Sequence, residues 1–154
     1  MRKEESGRSL IEIIGVLAIG AIMIASAYSI YKSIDNRQTR LIATETLKDV
    51  ATKTKTLYEF SGYENVSVAQ LQTDGVMSNT DTPIGGSWEI KGIKDDNEYS
   101  KFQIEIKKLN YDDCNYLAVK KTDWAIGKKV NGSNNGNCLT NPVNNQNTIT
   151  FIVK

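Results

Sequence analysis

The chain has no histidine at all, and only two cysteines and two prolines among its 154 residues. Without an imidazole there is no Ser-His-Asp or Cys-His nucleophile system, no His-ligated metal and no switch titrating near neutral pH. Two cysteines alone also fall short of the four ligands that a structural zinc site takes. Charge of either sign is equally scarce in excess: 19 basic against 18 acidic side chains leave a net +1, which argues against a dedicated nucleic-acid surface. The expectation is therefore one modest domain that is not an enzyme and takes no cofactor.

What is present is distributed very unevenly. Residues 10–31 (LIEIIGVLAIGAIMIASAYSIY) hold 17 apolar side chains out of 22, interrupted by Glu12, Gly15, Gly20, Ser26 and Ser29. A helix of that length runs about 33 Å at roughly 1.5 Å per residue, and a bilayer core is about 30 Å thick. The segment is thus expected to span a membrane. Arg2, Lys3 and Arg8 precede it and predict a cytoplasmic start, which puts the rest of the chain outside. A secretory signal cleaved after Ala25-Ser26-Ala27 is one alternative, but Glu12 interrupts its apolar run and the apolar pattern continues beyond the cut. A plain anchor explains the length and leaves Glu12 unexplained. A carboxylate inside a spanning helix costs on the order of a few kcal/mol, so it marks a functional site unless it reaches the headgroups from the first turn.

The run Gly7-Arg8-Ser9-Leu10-Ile11-Glu12, continuing into the apolar helix, resembles the class III signal of type IV pilins and of the pseudopilins of type II secretion. The resemblance implies that a prepilin peptidase cuts between Gly7 and Arg8, removing residues 1–7 as a leader, and that the new amino terminus at Arg8 is N-methylated. Arg8 stands where the family usually has phenylalanine. Glu12 becomes the fifth residue of the mature chain and its assembly residue. Cleavage creates a positive α-amino group beside an apolar helix, and Glu12 of an adjacent subunit would pair with it and fix the axial register. Gly15 and Gly20 weaken the helix by roughly 1 kcal/mol each relative to alanine, and suit either close packing or local melting.

Past Tyr31 the helical period continues. Ile34, Leu41, Leu47, Val50, Ala51, Leu57 and Tyr58 recur at helical spacing, with Arg40, Lys48 and other basic residues mostly on the remaining faces. The pattern predicts one helix from about Ser9 to Phe60, its half from 8 to 31 in membrane or filament core and its amphipathic half from 32 to 60 laid on a globular head, with Ser61-Gly62 as the stop. The head, 61–154, is expected to hold a short helix near Ser67–Thr73, strands over Ser87–Ile93 and Lys101–Lys107, and a helix starting at Asn110-Tyr111-Asp112. Strands over Trp124–Val130 and Thr148–Val153 complete it. The predicted fold class is α+β: a long amino-terminal helix packed on an antiparallel sheet, the lollipop that the pilin resemblance also implies.

Cys114 and Cys138 lie in an oxidising compartment if the membrane reading holds. They are then read as a disulfide, with two unrelated buried thiols as the alternative. By resemblance the region 114–138 is the disulfide-bounded variable region of type IV pilins. Residues 131–147 contain eight asparagines among 17 residues, a composition suited to an exposed loop. The carboxylate pairs Asp95-Asp96 and Asp112-Asp113 fit turns or helix caps. The doublets Lys107-Lys108, Lys120-Lys121 and Lys128-Lys129 read as a solvated face that attracts nucleic acid only if repeated along a polymer.

These readings converge on a structural subunit that polymerises through its amino-terminal helix into a type IV pilus. Its expected partners are copies of itself, the prepilin peptidase, the inner-membrane assembly platform with its minor pilins, and lipid before assembly. The precursor is expected in the inner membrane and the filament at the cell surface. A type II secretion pseudopilin, a non-polymerising membrane-anchored extracellular binding module, and a domain released after Ala27 are the alternatives.

Overall fold

A computed structural model describes residues 4–95, 98–140 and 146–154, with side chains from residue 10 onward. The chain divides into two units, Met1–Gln38 and Thr39–Lys154. One helix, α1 (Glu4–Tyr58), supplies all the described structure of the first unit and the opening of the second. It begins before the predicted Ser9. Glu4 and Glu5 suit the positive end of a helix dipole, and Gly7 lowers helix propensity without imposing a stop. Its other end falls two residues short of Phe60, where the Gly62 N–H donates to the Tyr58 carbonyl at 2.9 Å and Gly62 takes a φ of +77°.

The second unit is a four-stranded sheet packed on the helical residues 39–58. Its strands are β1 (Ser87–Asp95), β2 (Glu98–Leu109), β3 (Gly127–Val130) and β4 (Asn147–Val153), in the order β1-β2-β4-β3 with every neighbour antiparallel. The short helix α2 (Val68–Thr73) starts at Ser67, whose side chain accepts from the Gln70 N–H. Helix α3 (Tyr111–Val119) starts at Asn110, whose side chain accepts from the Asp113 N–H at 2.8 Å. Both caps satisfy donors that a helix start leaves without an internal partner.

Alternation along the strands sets the core. Trp88 and Ile90 of β1, Phe102, Ile104 and Ile106 of β2, and Ile149, Phe151 and Val153 of β4 are buried, and they meet Leu47, Val50 and Ala51 of α1. Gly92 shares the face of Trp88 and Ile90, and a Cβ there would lie 2.1 Å from the Tyr63 carbonyl oxygen, so the loop after α1 closes over that part of the sheet. A bulge between Ile106 and Leu109 places Lys108 at φ 61° and turns Leu109 into the core, where it is buried.

Three details depart from expectation. Ile34, Leu41 and Leu57 share the helical spacing of the buried stripe, yet they are 58%, 53% and 53% exposed. The buried face of α1 is Ala43, Leu47, Val50, Ala51 and Thr54, which keeps Leu47, Val50 and Ala51 of the expected stripe, because a period near 3.6 identifies repeating positions without saying which side the sheet lies on. The strand expected from Trp124 begins only at Gly127. Before it, the Ile126 N–H donates to the Ile152 carbonyl at 2.8 Å, while Trp124 stacks at a tilt on Phe151 with ring centroids 5.0 Å apart. Asn147, assigned to an exposed loop, is fully buried at the start of β4.

Candidate functional site

The apolar stretch lies in the first unit. Every residue from Leu10 to Tyr31 except Gly20 is exposed, with Ile11 at 71% and Ile24 at 73%. This helix is the one, among the described residues, that is long and apolar enough to cross a membrane, with a mean hydropathy of 2.4 in its most apolar window and none of that window buried. Apolar area on this scale is far beyond what a soluble surface leaves open. Its side chains are exposed on all faces. The Ser26 hydroxyl donates to the Ile22 carbonyl at 2.8 Å, which satisfies it within the helix and lowers the cost of its polarity in an apolar setting.

Glu12 lies exposed in this sleeve among Ile11, Ile13 and Val16. Gly7 and Arg8 fall in the first turns of α1, and the Arg8 side chain lies outside the described ones. A Cβ added at Gly15 or Gly20 would meet nothing within 4 Å. Neither glycine is therefore required by packing inside this chain, and any steric reason for it lies in what surrounds the helix.

In the second unit the disulfide Cys114–Cys138 joins the middle of α3 to the asparagine-rich loop, with a Cα–Cα separation of 5.9 Å. Asp96 of the carboxylate pair lies outside the described residues, as do 141–145 of the loop. Among the described residues no three His, Cys, Asp or Glu side chains group to hold a metal ion.

Helix α3 is fastened at both ends by residues whose roles spacing does not reveal. At its start the Arg40 Nε donates to Asp113 Oδ1 at 2.8 Å, with the two side chains 25% and 13% exposed, and the guanidinium lies 5.6 Å from the Tyr116 ring centroid. At its end Lys128 Nζ donates to the carbonyls of Leu117 at 3.0 Å, of Lys120 at 2.9 Å and of Ala118. These are carbonyls that a helix end leaves unpaired. Burial pushes the Lys128 ammonium below the usual lysine range, while the three carbonyls favour its charged form.

The basic doublets are thus not the uniform solvated face expected of them. Lys128 caps α3, and Lys107 pairs with Glu89 across β1 and β2. The Lys107 and Lys91 ammoniums hold the Glu89 carboxyl below its ordinary value. Lys48 does the same for Asp123 from 3.2 Å.

The asparagine-rich segment has its own fastening. Asn147 Oδ1 accepts from the Leu139 N–H at 2.7 Å and from Asn131 Nδ2 at 3.1 Å, while Asn147 Nδ2 donates to the Leu139 carbonyl at 3.2 Å. Asn131 sits in the left-handed region at φ 48°, which asparagine tolerates better than most residues. The Asn131-Gly132 dipeptide was the one available sequence signal for this clasp. Nothing in the local pattern distinguishes Asn147 from its neighbours.

Comparison with protein-family models found no match, and comparison with curated proteins found none either.

Proposed function

We propose that this chain is a filament subunit of the type IV pilin kind: a membrane-anchored precursor, cut between Gly7 and Arg8, that polymerises through its amino-terminal helix. The observation that carries the reading is an apolar helix of spanning length, exposed on every face, with a carboxylate near its beginning. Lipid satisfies the apolar faces before assembly but leaves Glu12 at a cost. A bundle of copies supplies both an apolar surface and, at each neighbouring amino terminus, the positive charge that Glu12 lacks in lipid. The missing side-chain requirement at Gly15 and Gly20 fits the same picture, since close helix approach needs small residues. On this reading the head, with its disulfide, faces the outside of the cell. The partners are further copies, a prepilin peptidase, the assembly platform and minor subunits.

Two measurements test it. Mass spectrometry of the mature amino terminus, in cells with and without a prepilin peptidase, should find a methylated Arg8 start only when the enzyme is present. A Met1 start in both strains, or a Tyr28 start, would sink the reading. As the sole subunit, Glu12→Gln should keep or improve membrane insertion while sheared filaments disappear. Normal filament yield from that variant would refute charge pairing, whereas the absence of filaments even from the unsubstituted chain would favour the second reading, a single-pass anchored extracellular module, for which the exposed apolar helix alone suffices.

A further inference from the structure

The chain contains two Asn-Gly dipeptides, Asn131-Gly132 and Asn135-Gly136, both inside the uncharged segment 131–147. Asn-Gly is chemically labile because the glycine nitrogen, unhindered by a following Cβ, attacks the asparagine side-chain carbon. The attack closes a five-membered succinimide, and the glycine N–H proton leaves with the departing amide nitrogen as ammonia. Water then opens the ring at one of its two carbonyls. The net change is asparagine plus water to aspartate or isoaspartate plus ammonium, with one negative charge gained.

The fold treats the two sites differently. At Asn131, Oδ1 accepts from the Thr148 N–H at 2.8 Å, and Nδ2 donates to the Asn137 carbonyl at 2.9 Å and to Asn147 Oδ1 at 3.1 Å. Turning the Asn131 carboxamide onto the Gly132 nitrogen breaks all three. Asn135 is exposed and makes no side-chain hydrogen bond among the described residues. Its attacking nitrogen, that of Gly136, is held only by a 3.2 Å bond to the Ser133 carbonyl. Gly136 itself is imposed by packing: a Cβ there would lie 1.9 Å from the Val130 carbonyl oxygen. The tight turn therefore demands the residue that makes Asn135 labile.

We propose that Asn135 is a site of spontaneous deamidation in the folded protein, and that the Asn131–Asn147 clasp protects Asn131 from the same reaction. The product places the first charge in segment 131–147. Where the ring opens to isoaspartate, the main chain gains a methylene beside Gly136. The backbone there is too closely packed to absorb it, so the turn at residues 133–136 opens. This inference does not depend on the filament reading.

The test uses the full chain, disulfide intact, in detergent and mildly alkaline buffer. Peptide mapping follows aspartate, and a methyltransferase specific for isoaspartate labels that product. Asn135 should convert at least about tenfold faster than Asn131, since losing several hydrogen bonds exceeds the ~1.4 kcal/mol that a decade of rate represents. In the reduced, denatured chain the two rates should converge, and Asn135→Gln should abolish the fast conversion. Equal rates in the folded chain, or an inert Asn135 under conditions where the denatured chain converts it, would overturn the proposal.

Discussion

Residues 10–31 and 39–58 belong to one helix, yet the first stretch buries none of its side chains and the second buries a full face. Both have the residues to be helical, so burial is not what makes them so. The difference is the origin of the partner surface. Leu47, Val50 and Ala51 share a core with strands of the same chain, whereas Leu10 to Tyr31 are left exposed. The first stretch is apolar all round and the second is apolar on one side, which is the pattern each environment requires.

Truncation at matched leucines breaks this comparison most sharply. Leu47→Ala should destabilise the head by about 2–5 kcal/mol, because Leu47 is fully packed. Leu17→Ala, at a residue 66% exposed, should leave the head's stability within about 0.5 kcal/mol. Denaturation of the full chain in detergent, followed by tryptophan fluorescence, reads both, since Trp88 and Trp124 lie in the head. A large effect of Leu17→Ala would mean that the two stretches share a core after all.

Next in size is the disulfide. Paired Cys114→Ser and Cys138→Ser changes should cost the head roughly 3 kcal/mol, the loop-closure entropy for a separation of 24 residues. The helicity of the first stretch should be untouched.

A smaller effect is expected from Asp113→Ala, about 1–2 kcal/mol, between the values of exposed and fully buried ion pairs. The exchange Arg40→Asp with Asp113→Arg should recover part of that loss in a thermodynamic cycle if the pair itself matters. In the opposite direction, Thr54→Val should stabilise by about 1 kcal/mol, because the buried Thr54 hydroxyl has no hydrogen-bond partner among the described residues.

The mildest perturbation is acid. Glu89, Asp95 and Asp123 have folded-state values lowered by lysine partners, so their contribution is present above the ordinary carboxylate range. It is lost as pH falls through the lowered values. The thermal midpoint of the head should therefore slip modestly in acid, and high salt should flatten the dependence, since these pairs are exposed.

Much of the fold was legible because it rests on local chemistry. Ser67 and Asn110 announce helix starts through their own side chains, and alternation in Lys101–Lys107 separates Phe102, Ile104 and Ile106 from the charged face. The apolar run with Glu12 was legible for the same reason. Long-range partners were not. Arg40 meets Asp113 from 73 positions away, and Lys128 finds carbonyls that spacing cannot point to. Leu41 and Leu47 differ by six positions on one helix, and only the placement of the sheet decides which is buried.

The strand order β1-β2-β4-β3 carries a consequence in time. β4, at residues 147–153, lies between β2 and β3, so the inner flank of β2 stays open until the last of the four strands has emerged. A chain delivered amino terminus first has its apolar helix complete long before the sheet can close. During that interval Phe102, Ile104 and Ile106 await Ile149, Phe151 and Val153, and the unfinished edge can recruit a strand from a neighbour. Prompt arrival of the final strand closes that edge.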